Sequence, residues 1–593
     1  MVGCGGGEKG PAAASPTSAT GGQPALTTVG VRGGTYHGFN YDSLVLDTRD
    51  PHQTRLGPMY NIQSYVFSKV LNYYDEIQQI MWPDLSSDAA GNPAMPEQPD
   101  DDKLTYIIRI RPNARFHDTE KIRQDWPNTA GRNVTAEDIK FSIDRQVNRE
   151  SPKSALYYRR YQWETVDKID VIDDHTLRIT TKKPCSPFVH FLADRNSFVI
   201  PRELVDPNTD DMNADNKMVG SGPFILDRLE ALRVLRVVRN RDWFGADDNP
   251  ENMGTGRPFL DAVEISYPPE SDSVVETAFK TKKVDVAGFT DQGNLYRVLG
   301  EVEGAQLLEV GISGGLASAL LIDRPPFKDV RVRKAISLAQ DRQALGEQMY
   351  PAAPGHPRVL LSGPICWPIV RWAIPQEKLA TYPGYRYGPG EREQDIADAR
   401  AMFEAAGGRE GLGPIRILFS SIPPTIPEKV LPQVQRQLEQ NLGAEVQPDI
   451  DRTGYTEIIS CLSRAIGGAP AEGCVFTWSF DNGFTDLDDW LYAYYHTGGG
   501  LNSYPLSDPQ IDQWLDQQRE EFDYEKRREI GLQIQDRLMT EIVPGYRYFN
   551  DIGRSLRYPY AQNARSWPWF GVAYWFANVW LDSSDPHFQG RPA

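Results

Sequence analysis

The stretch CVFTWSFDNGFTDLDDWL, residues 474–491, places an apolar run directly before a group of acids. The run predicts a strand that passes Trp478, and Asp481 follows it at the point where an α/β sheet presents its strand ends to ligands. The segment LDDWLYAYY that comes next is typical of a helix start, where negative charge is favourable. The stretch therefore predicts a strand, a ligand-facing loop and a helix, which together form the local unit of an α/β fold.

The acids in this stretch have three candidate functions: catalysis, metal binding, or binding of a positively charged group of a ligand. A calcium loop of the EF type requires Gly at its sixth position, but the sixth residue from Asp481 is Asp486. A pair of glycosidase carboxylates needs a fixed separation in space, which spacing in the sequence does not define. We therefore interpret Asp486, Asp488 and Asp489 as solvated acids at a helix N-terminus, and Asp481 as the candidate ligand contact.

Helix and strand signals alternate along the rest of the chain. KLTYIIRIRPNARFHD, from Lys103, alternates apolar and polar residues and predicts a half-buried strand that ends at a turn. Thr135 with Asp138 has capping-box spacing and predicts a helix from about Ala136. TTVGVRGGTYHGF predicts a short strand pair around Gly33 and Gly34. The alternation predicts the α/β class.

Composition limits the function classes. The chain has 593 residues, several times the usual domain size of about 100 to 150 residues, so two or more domains are expected. Its net charge of −18 repels phosphate backbones and argues against nucleic-acid binding. The longest strongly apolar run, residues 571–581, is shorter than the roughly 20 residues that cross a bilayer.

Motifs for catalysis, metals and cofactors are weak or missing. GISGG, residues 311–315, fits the Gly-x-Ser-x-Gly pattern of a hydrolase elbow, but the prolines at 325 and 326 follow too soon for the long helix that an elbow requires. No two of the eight histidines have the spacing of a helical metal site, and no phosphate-binding loop ends in Gly-Lys-Ser/Thr. We expect no catalytic residue, no metal and no cofactor.

The N-terminal 29 residues form a Gly, Ala, Ser and Pro tract that predicts a flexible tether. Cys4 after Val-Gly resembles a bacterial lipoprotein junction, where the Cys carries lipid, although only three residues precede it. Four of the five cysteines then remain, and four can pair in three ways. The short separation of Cys461 and Cys474 favours a local disulfide, while Cys185 and Cys366 would need the fold to bring them together.

Seven segments in order resemble the extracytoplasmic solute-binding proteins of peptide-type ABC importers, the oligopeptide- and dipeptide-binding class of solute-binding family 5. They are LTYIIRIRPNARFHD (104–118), VTAEDIKFSIDR (134–145), MVGSGPFIL (218–226), VRNRDWFG with RPFLDAVEI (238–265), RPPFKDVRVRKAISLAQDR (324–342), LSGPI (361–365) and WSFDNGFTDLDDWL (478–491).

The resemblance implies a two-lobed α/β clamp, of the Venus flytrap type, with an additional third domain. On that pattern residues 30–65, 196–320 and 551–593 form the first lobe. Residues 66–195 form the extra domain, and residues 321–550 form the second lobe. The chain would cross between lobes near 320 and 550, and those crossings are the expected hinge.

The resemblance also implies the ligand contacts. In family members that bind peptides, the Asp of the Trp-x-x-Asp segment, here Asp481, pairs with the ligand α-ammonium. Trp478, Asn482, Trp367 and Tyr36 complete the predicted ligand-binding set. Dipeptide binders place an Arg after the strand corresponding to RILFS, whereas residues 420–430 contain no Arg, and Lys429 offers only a point charge.

The sequence therefore predicts a lipid-tethered, monomeric, extracytoplasmic receptor that captures oligopeptides and delivers them to the permease subunits of an ABC transporter. The alternative keeps the fold and changes the cargo to an oligosaccharide, a metal complex or another small solute. A hydrolase that uses GISGG or the acids is the competing class.

Overall fold

The computed structural model describes residues 27, 29–39, 47–75, 79–231, 233–248, 254–267, 271–311, 315–349, 360–366, 369, 371–421, 426–453, 457–458, 461, 474–478, 483–550, 552–565 and 571–592. Its strands are β1 (Thr35–Phe39), β2 (Leu71–Asp75), β3 (Ile80–Pro83), β4 (Ser86–Ser87), β5 (Thr105–Ile110), β6 (Val166–Asp173), β7 (Thr176–Thr181), β8 (Phe224–Glu230), β9 (Val234–Arg239), β10 (Ala262–Ser266), β11 (Val286–Gly288), β12 (Gln306–Gly311), β13 (Leu316–Leu320), β14 (Ile415–Ser420), β15 (Val446–Asp451), β16 (Cys474–Trp478), β17 (Gly545–Arg547), β18 (Ile552–Arg557), β19 (Ala561–Gln562) and β20 (Trp580–Leu581).

The helices are α1 (Gly57–Val66), α2 (Glu120–Asp125), α3 (Ala136–Val147), α4 (Arg160–Trp163), α5 (Phe188–Phe191), α6 (Asp272–Lys280), α7 (Gln292–Glu301), α8 (Val330–Ala339), α9 (Arg342–Met349), α10 (Gln376–Leu379), α11 (Glu391–Ala405), α12 (Gly408–Leu412), α13 (Leu431–Leu442), α14 (Leu487–Tyr495), α15 (Pro509–Glu520) and α16 (Tyr524–Arg537). Two π-helical turns, Ile426–Val430 and Leu538–Ile542, precede α13 and follow α16.

The first lobe is built on a seven-stranded sheet with the order β12-β18-β11-β1-β10-β9-β8. Three separate parts of the chain supply its strands, so this lobe closes only when the C-terminal part has returned to it. The strand pair predicted around Gly33 and Gly34 is wrong, because β1 pairs in parallel with the distant strands β10 and β11. Tyr36, Val263, Phe279 and Leu556 lie in the apolar core of this lobe.

The second lobe is built on a five-stranded sheet with the order β15-β14-β16-β13-β17. β14 pairs in parallel with β15 and β16, whereas β13 pairs antiparallel with β16 and β17. Helices α8, α11 and α13 contribute Ile336, Phe403 and Leu438 to one core with Ile417 and Phe419 of β14. This is the α/β packing that the alternating sequence pattern predicts.

The extra domain has a four-stranded antiparallel sheet with the order β4-β5-β7-β6. Tyr106, Ile108 and Ile110 of β5 are buried at alternate positions, as the sequence predicts. Helix α3 begins at Ala136 with the predicted capping box, in which the Thr135 backbone N–H donates to Asp138 at 2.9 Å. These two predictions are confirmed.

Two neighbouring segments connect the lobe sheets. β12 and β18 remain paired up to Gly311 and Ile552, and β13 and β17 pair from Ala317 and Arg547. The Tyr548 backbone N–H also donates to the Leu316 carbonyl at 2.9 Å. The chain therefore crosses between the sheets twice, from β12 to β13 and from β17 to β18, and the described parts of these two crossing segments, Gly315 and residues 548–550, lie side by side. Because β13 pairs within the second sheet, the first lobe ends before Leu316 and not at the predicted residue 320. The other predicted domain limits stay predictions.

Gly315 lies where the crossing segments approach most closely. Its φ is +152°, and a Cβ there would lie 2.1 Å from the Phe549 carbonyl oxygen. We expect Gly315→Ala to lower the free energy of unfolding by about 2 kcal/mol or more, because the clash is with backbone and the φ is strained. Equilibrium denaturation measures this loss.

The matched control is Gly411→Ala in α12, where the added Cβ would meet no atom within 4 Å. Its expected effect is neutral or slightly stabilising, since Ala favours a helix more than Gly does. Equal stability of the two variants would contradict the close packing of the crossing segments.

Candidate functional site

The carboxyl ends of the sheet strands mark the candidate ligand cleft. In the second lobe the parallel strands β14 and β16 end at Ser420 and Trp478, and Trp478 pairs with Leu316 beside the crossing. In the first lobe β11 and β12 both pair antiparallel with β18, so they run in the same direction and end at Gly288 and Gly311. Both sheets thus turn their carboxyl ends toward the crossing segments, where α/β sheets bind ligands.

A charged pair joins the two lobes at this edge. Asp291 follows β11, Lys429 lies in the π-helical turn after β14, and the Lys429 Nζ is 4.0 Å from the Asp291 Oδ2. The two side chains are 38% and 52% exposed, so solvent screens the pair and its contribution is small. Their proximity shows that the two strand-end edges face each other.

The structure describes few of the residues predicted to contact the ligand. Trp478 is the last residue of β16, and the structure describes its backbone but not its side chain. Asp481, Asn482 and Trp367 lie outside the described residues. Their ligand contacts, including that of Trp478, stay predictions.

Tyr36 lies in the core of the first lobe and is 4% exposed. Its ring packs edge-on against Phe576 at 5.1 Å, and burial together with the charge of Asp285 raises the pKa of its hydroxyl. Tyr36 is the second residue of β1, about 10 Å along the strand from the carboxyl end at Phe39. This position does not favour the ligand contact, which stays a prediction without structural support.

The acids after the predicted site do begin a helix, as expected. Asp486 is the N-cap of α14, and its carboxylate accepts from the Asp488 backbone N–H at 2.9 Å. The expectation that these acids are solvated is wrong, because Asp486, Asp488 and Asp489 are 3%, 0% and 4% exposed. Each is balanced by a buried arginine, which is how proteins retain a charge away from water.

The first two acids pair with helices of the second lobe. The Arg527 Nη2 lies 2.5 Å from the Asp486 Oδ1. The Asp488 carboxylate accepts from the Arg519 Nε at 2.7 Å and from its Nη2 at 2.8 Å. Burial raises the pKa of Asp486, but Arg527 and His190 outweigh it and hold the pKa below its ordinary value. Burial also lowers the pKa of His190 to about 4. These carboxylates are structural and are not free for a ligand.

The third acid joins the second lobe to the extra domain. Asp489 pairs with Arg159 at 3.0 Å and accepts from the Tyr161 hydroxyl at 2.8 Å, and Arg159 also pairs with Asp194 at 3.1 Å. Burial, reinforced by the charge of Asp194, raises the pKa of Asp489 against the effect of Arg159. The extra domain is therefore joined to the second lobe by a buried charge network.

The extra domain also contacts the first lobe. Arg145 at the end of α3 pairs with Asp50 at 2.5 Å and with Asp210 at 2.6 Å. All three residues come from different parts of the chain, so sequence spacing gave no signal for these pairs. The extra domain consequently contacts both sides of the candidate cleft.

The structure describes three of the five cysteine side chains, so it covers only part of the cysteine predictions. Cys185, Cys366 and Cys461 are buried. The backbone of Cys474 lies in β16 opposite Leu320, and its side chain is not among the described ones. The Cys461–Cys474 disulfide stays a prediction, as does lipidation of Cys4, which lies outside the described residues.

The competing motifs find no support in the described residues. A strand, β13, follows GISGG, so the strand-to-helix turn of a hydrolase elbow is not present at this position. Within the described ranges no group of three or more His, Cys, Asp or Glu side chains could hold a metal ion. In the same ranges, no helix combines the length and apolar character that crossing a membrane requires.

Two lobes, paired crossings and opposed strand ends define a clamp-type binding protein. The family "Bacterial extracellular solute-binding proteins, family 5 Middle" matches residues 89–502. The chain belongs to this family, whose members bind solutes and are not enzymes.

Individual relatives are distant. Heme-binding protein A of Haemophilus influenzae is 25% identical over 50% of this chain and 51% of its own length. Di/tripeptide-binding protein 1 of Pseudomonas aeruginosa is 23% identical over 75% of this chain and 77% of its own. The oligopeptide-binding protein AppA of Bacillus subtilis, solved with a nonapeptide, has a TM-score of 0.74 at 17% identity, covering 94% of this chain and 100% of that one. This likeness shows a shared multi-domain clamp fold.

Proposed function

We propose that this protein captures peptides in the cleft between its lobes and delivers them to the permease of an ABC importer. The observation that carries the proposal is the placement of β16, whose carboxyl end lies beside the crossing segments and precedes Asp481 by three positions in the sequence. The peptide-binding names of several relatives support the choice of cargo.

Asp481 supplies the electrostatic part of recognition. A peptide ammonium that enters a closing cleft loses water, and a positioned carboxylate offsets that loss. The next acids along the chain cannot replace it, because Asp486, Asp488 and Asp489 are neutralised by their arginines. The Trp478 ring adds an aromatic surface to the site, and a cation–π contact between this ring and the peptide ammonium contributes about 0.5 to 2 kcal/mol.

The cargo is longer than a dipeptide in this proposal. Residues 420–430 contain no Arg to bind a nearby ligand carboxylate, and the Lys429 ammonium already lies 4.0 Å from Asp291. A longer peptide places its carboxylate elsewhere, and main-chain hydrogen bonds then supply affinity without strict side-chain selection.

Delivery requires a location outside the cytoplasm, and the extracellular description of the family supports that location. We propose that lipid on Cys4 holds the N-terminal tether at the membrane, and that the receptor acts as a monomer with the permease subunits as partners. The two crossing segments act as the hinge on which the lobes close.

Mass spectrometry of molecules released by denaturing the purified protein tests the cargo. We expect peptides, and a thermal-shift screen should then show stabilisation by peptides and not by β-linked oligosaccharides, because ligand binding raises the melting temperature. Release of an oligosaccharide or a metal complex, with no response to peptides, would contradict the proposal and favour the alternative cargo.

A further inference from the structure

A cavity of about 200 Å³ lies inside the second lobe and reaches Arg547, the last residue of β17. Its walls come from β17, α8, α11, the turn after α16 and the loop before α11. An engineered apolar cavity of roughly 150 Å³ accommodates benzene, so this volume admits one aromatic ring with a short substituent. The cavity is a second place where this chain can hold a small molecule.

The walls are mainly aromatic and thioether groups. Tyr382, Tyr385, Tyr495 and Tyr504 line the cavity together with Met402 and Met539. Two of the four tyrosine hydroxyls are seen to donate hydrogen bonds within the protein: Tyr382 donates to Asp536 at 2.5 Å, and Tyr385 donates to the Arg547 carbonyl at 3.1 Å. The tyrosines therefore offer ring surface to an occupant.

Lys334 supplies the polar group. It lies on α8, is half-buried, and makes no hydrogen bond or ion pair with any residue that the structure describes. Asp398 on α11 also lines the cavity, accepts from Gln394 at 2.7 Å and is not within 4.0 Å of the Lys334 ammonium. The third charged residue, Arg547, lies over the Trp490 ring at 5.2 Å. The lining thus carries a net positive charge with one ammonium available.

We infer that this cavity binds a small aromatic carboxylate, with the ring against the tyrosines and the carboxylate at Lys334. Charge complementarity selects the class: the aromatic walls accept a ring, and a half-buried ammonium gains an opposite charge from an anion. A single ammonium suits one carboxylate and offers no bidentate fork for larger oxyanions. The lining residues all belong to the second lobe, and Arg547 at the end of β17 brings the cavity to the same edge of the sheet as Trp478.

Isothermal calorimetry with phenylacetate as the probe tests this inference. We expect one molecule bound per chain with a millimolar or tighter dissociation constant. Phenylacetamide, which keeps the ring and loses the charge, should bind about fivefold more weakly. Lys334→Met should weaken phenylacetate by a similar factor, and Asp398→Asn should strengthen it.

Lys121→Met, at an exposed lysine of α2, is the matched control and should leave phenylacetate binding unchanged. Phenylacetate binding should also persist in the Asp481→Asn variant. Absence of binding, or equal affinity of Lys334→Met and the native protein for phenylacetate, would overturn the inference. Failure of the protein to bind peptides would leave these results unaffected, so the two proposals are tested separately.

Discussion

Asp481→Asn should weaken peptide binding by about 30-fold or more, which corresponds to at least about 2 kcal/mol. The amide keeps the size of the carboxylate and loses the charge that balances the peptide ammonium. Asp481 follows the carboxyl end of β16 in the sequence, so the substitution acts at the proposed ligand site and changes no residue of the buried charge network. The melting temperature without ligand should therefore be nearly unchanged. Titration calorimetry with a peptide of free amino terminus measures the loss.

The control is Asp449→Asn, at an exposed carboxylate of β15 in the same sheet. Its carboxylate accepts only from the adjacent Ile450 N–H in the described structure, so peptide affinity should not change. A second control uses the N-acetylated peptide, for which the native protein and Asp481→Asn should have similar affinities. An equal loss for both peptides would assign Asp481 a structural role and contradict the ammonium contact.

Arg519→Met should lower the free energy of unfolding by about 3–5 kcal/mol. The substitution keeps an apolar stem and removes the two donors at 2.7 and 2.8 Å from Asp488, which is fully buried. Asp488 would then retain its charge with Gln518 as its side-chain donor, at 2.6 Å. Equilibrium denaturation with a probe of the second lobe measures the change.

The surface pair Lys183–Glu520 provides the control, since Glu520 follows Arg519 in α15 and both side chains of this 2.7 Å pair are exposed. Lys183→Met should change stability by less than about 1 kcal/mol. Adding Asp488→Asn to Arg519→Met should restore part of the stability, because it removes the unpaired charge. If Arg519→Met matched the surface control, the buried pair would not be a stabilising feature of the lobe.

Local patterns predicted the elements well. The alternation in β5 and the capping box of α3 report on neighbouring residues, so short sequence windows contain the necessary information. The α/β class followed from the alternation of helix and strand signals and the two-lobed clamp from the resemblance, and the fold confirms both. The pairing of β1 with β10 was missed because it joins residues more than 200 positions apart.

The same distinction explains the errors at the acids. The helix start at Asp486 was predicted from adjacent residues, whereas burial of Asp488 and Asp489 depends on Arg519 and Arg159, which come from distant parts of the chain. One signal was available: Leu487, Trp490 and Leu491 surround the acids with large apolar residues, and these are fully buried. Acids inside such an apolar segment indicate buried pairs more strongly than a solvated helix end.

The most direct test of peptide capture is calorimetry of one peptide with a free amino terminus against its N-acetylated copy, both binding to the native protein. The account predicts that the free peptide binds about 30-fold or more tightly than the acetylated copy, because only the free form brings an ammonium to Asp481. Equal affinities for the two peptides, or no binding of either, would contradict it.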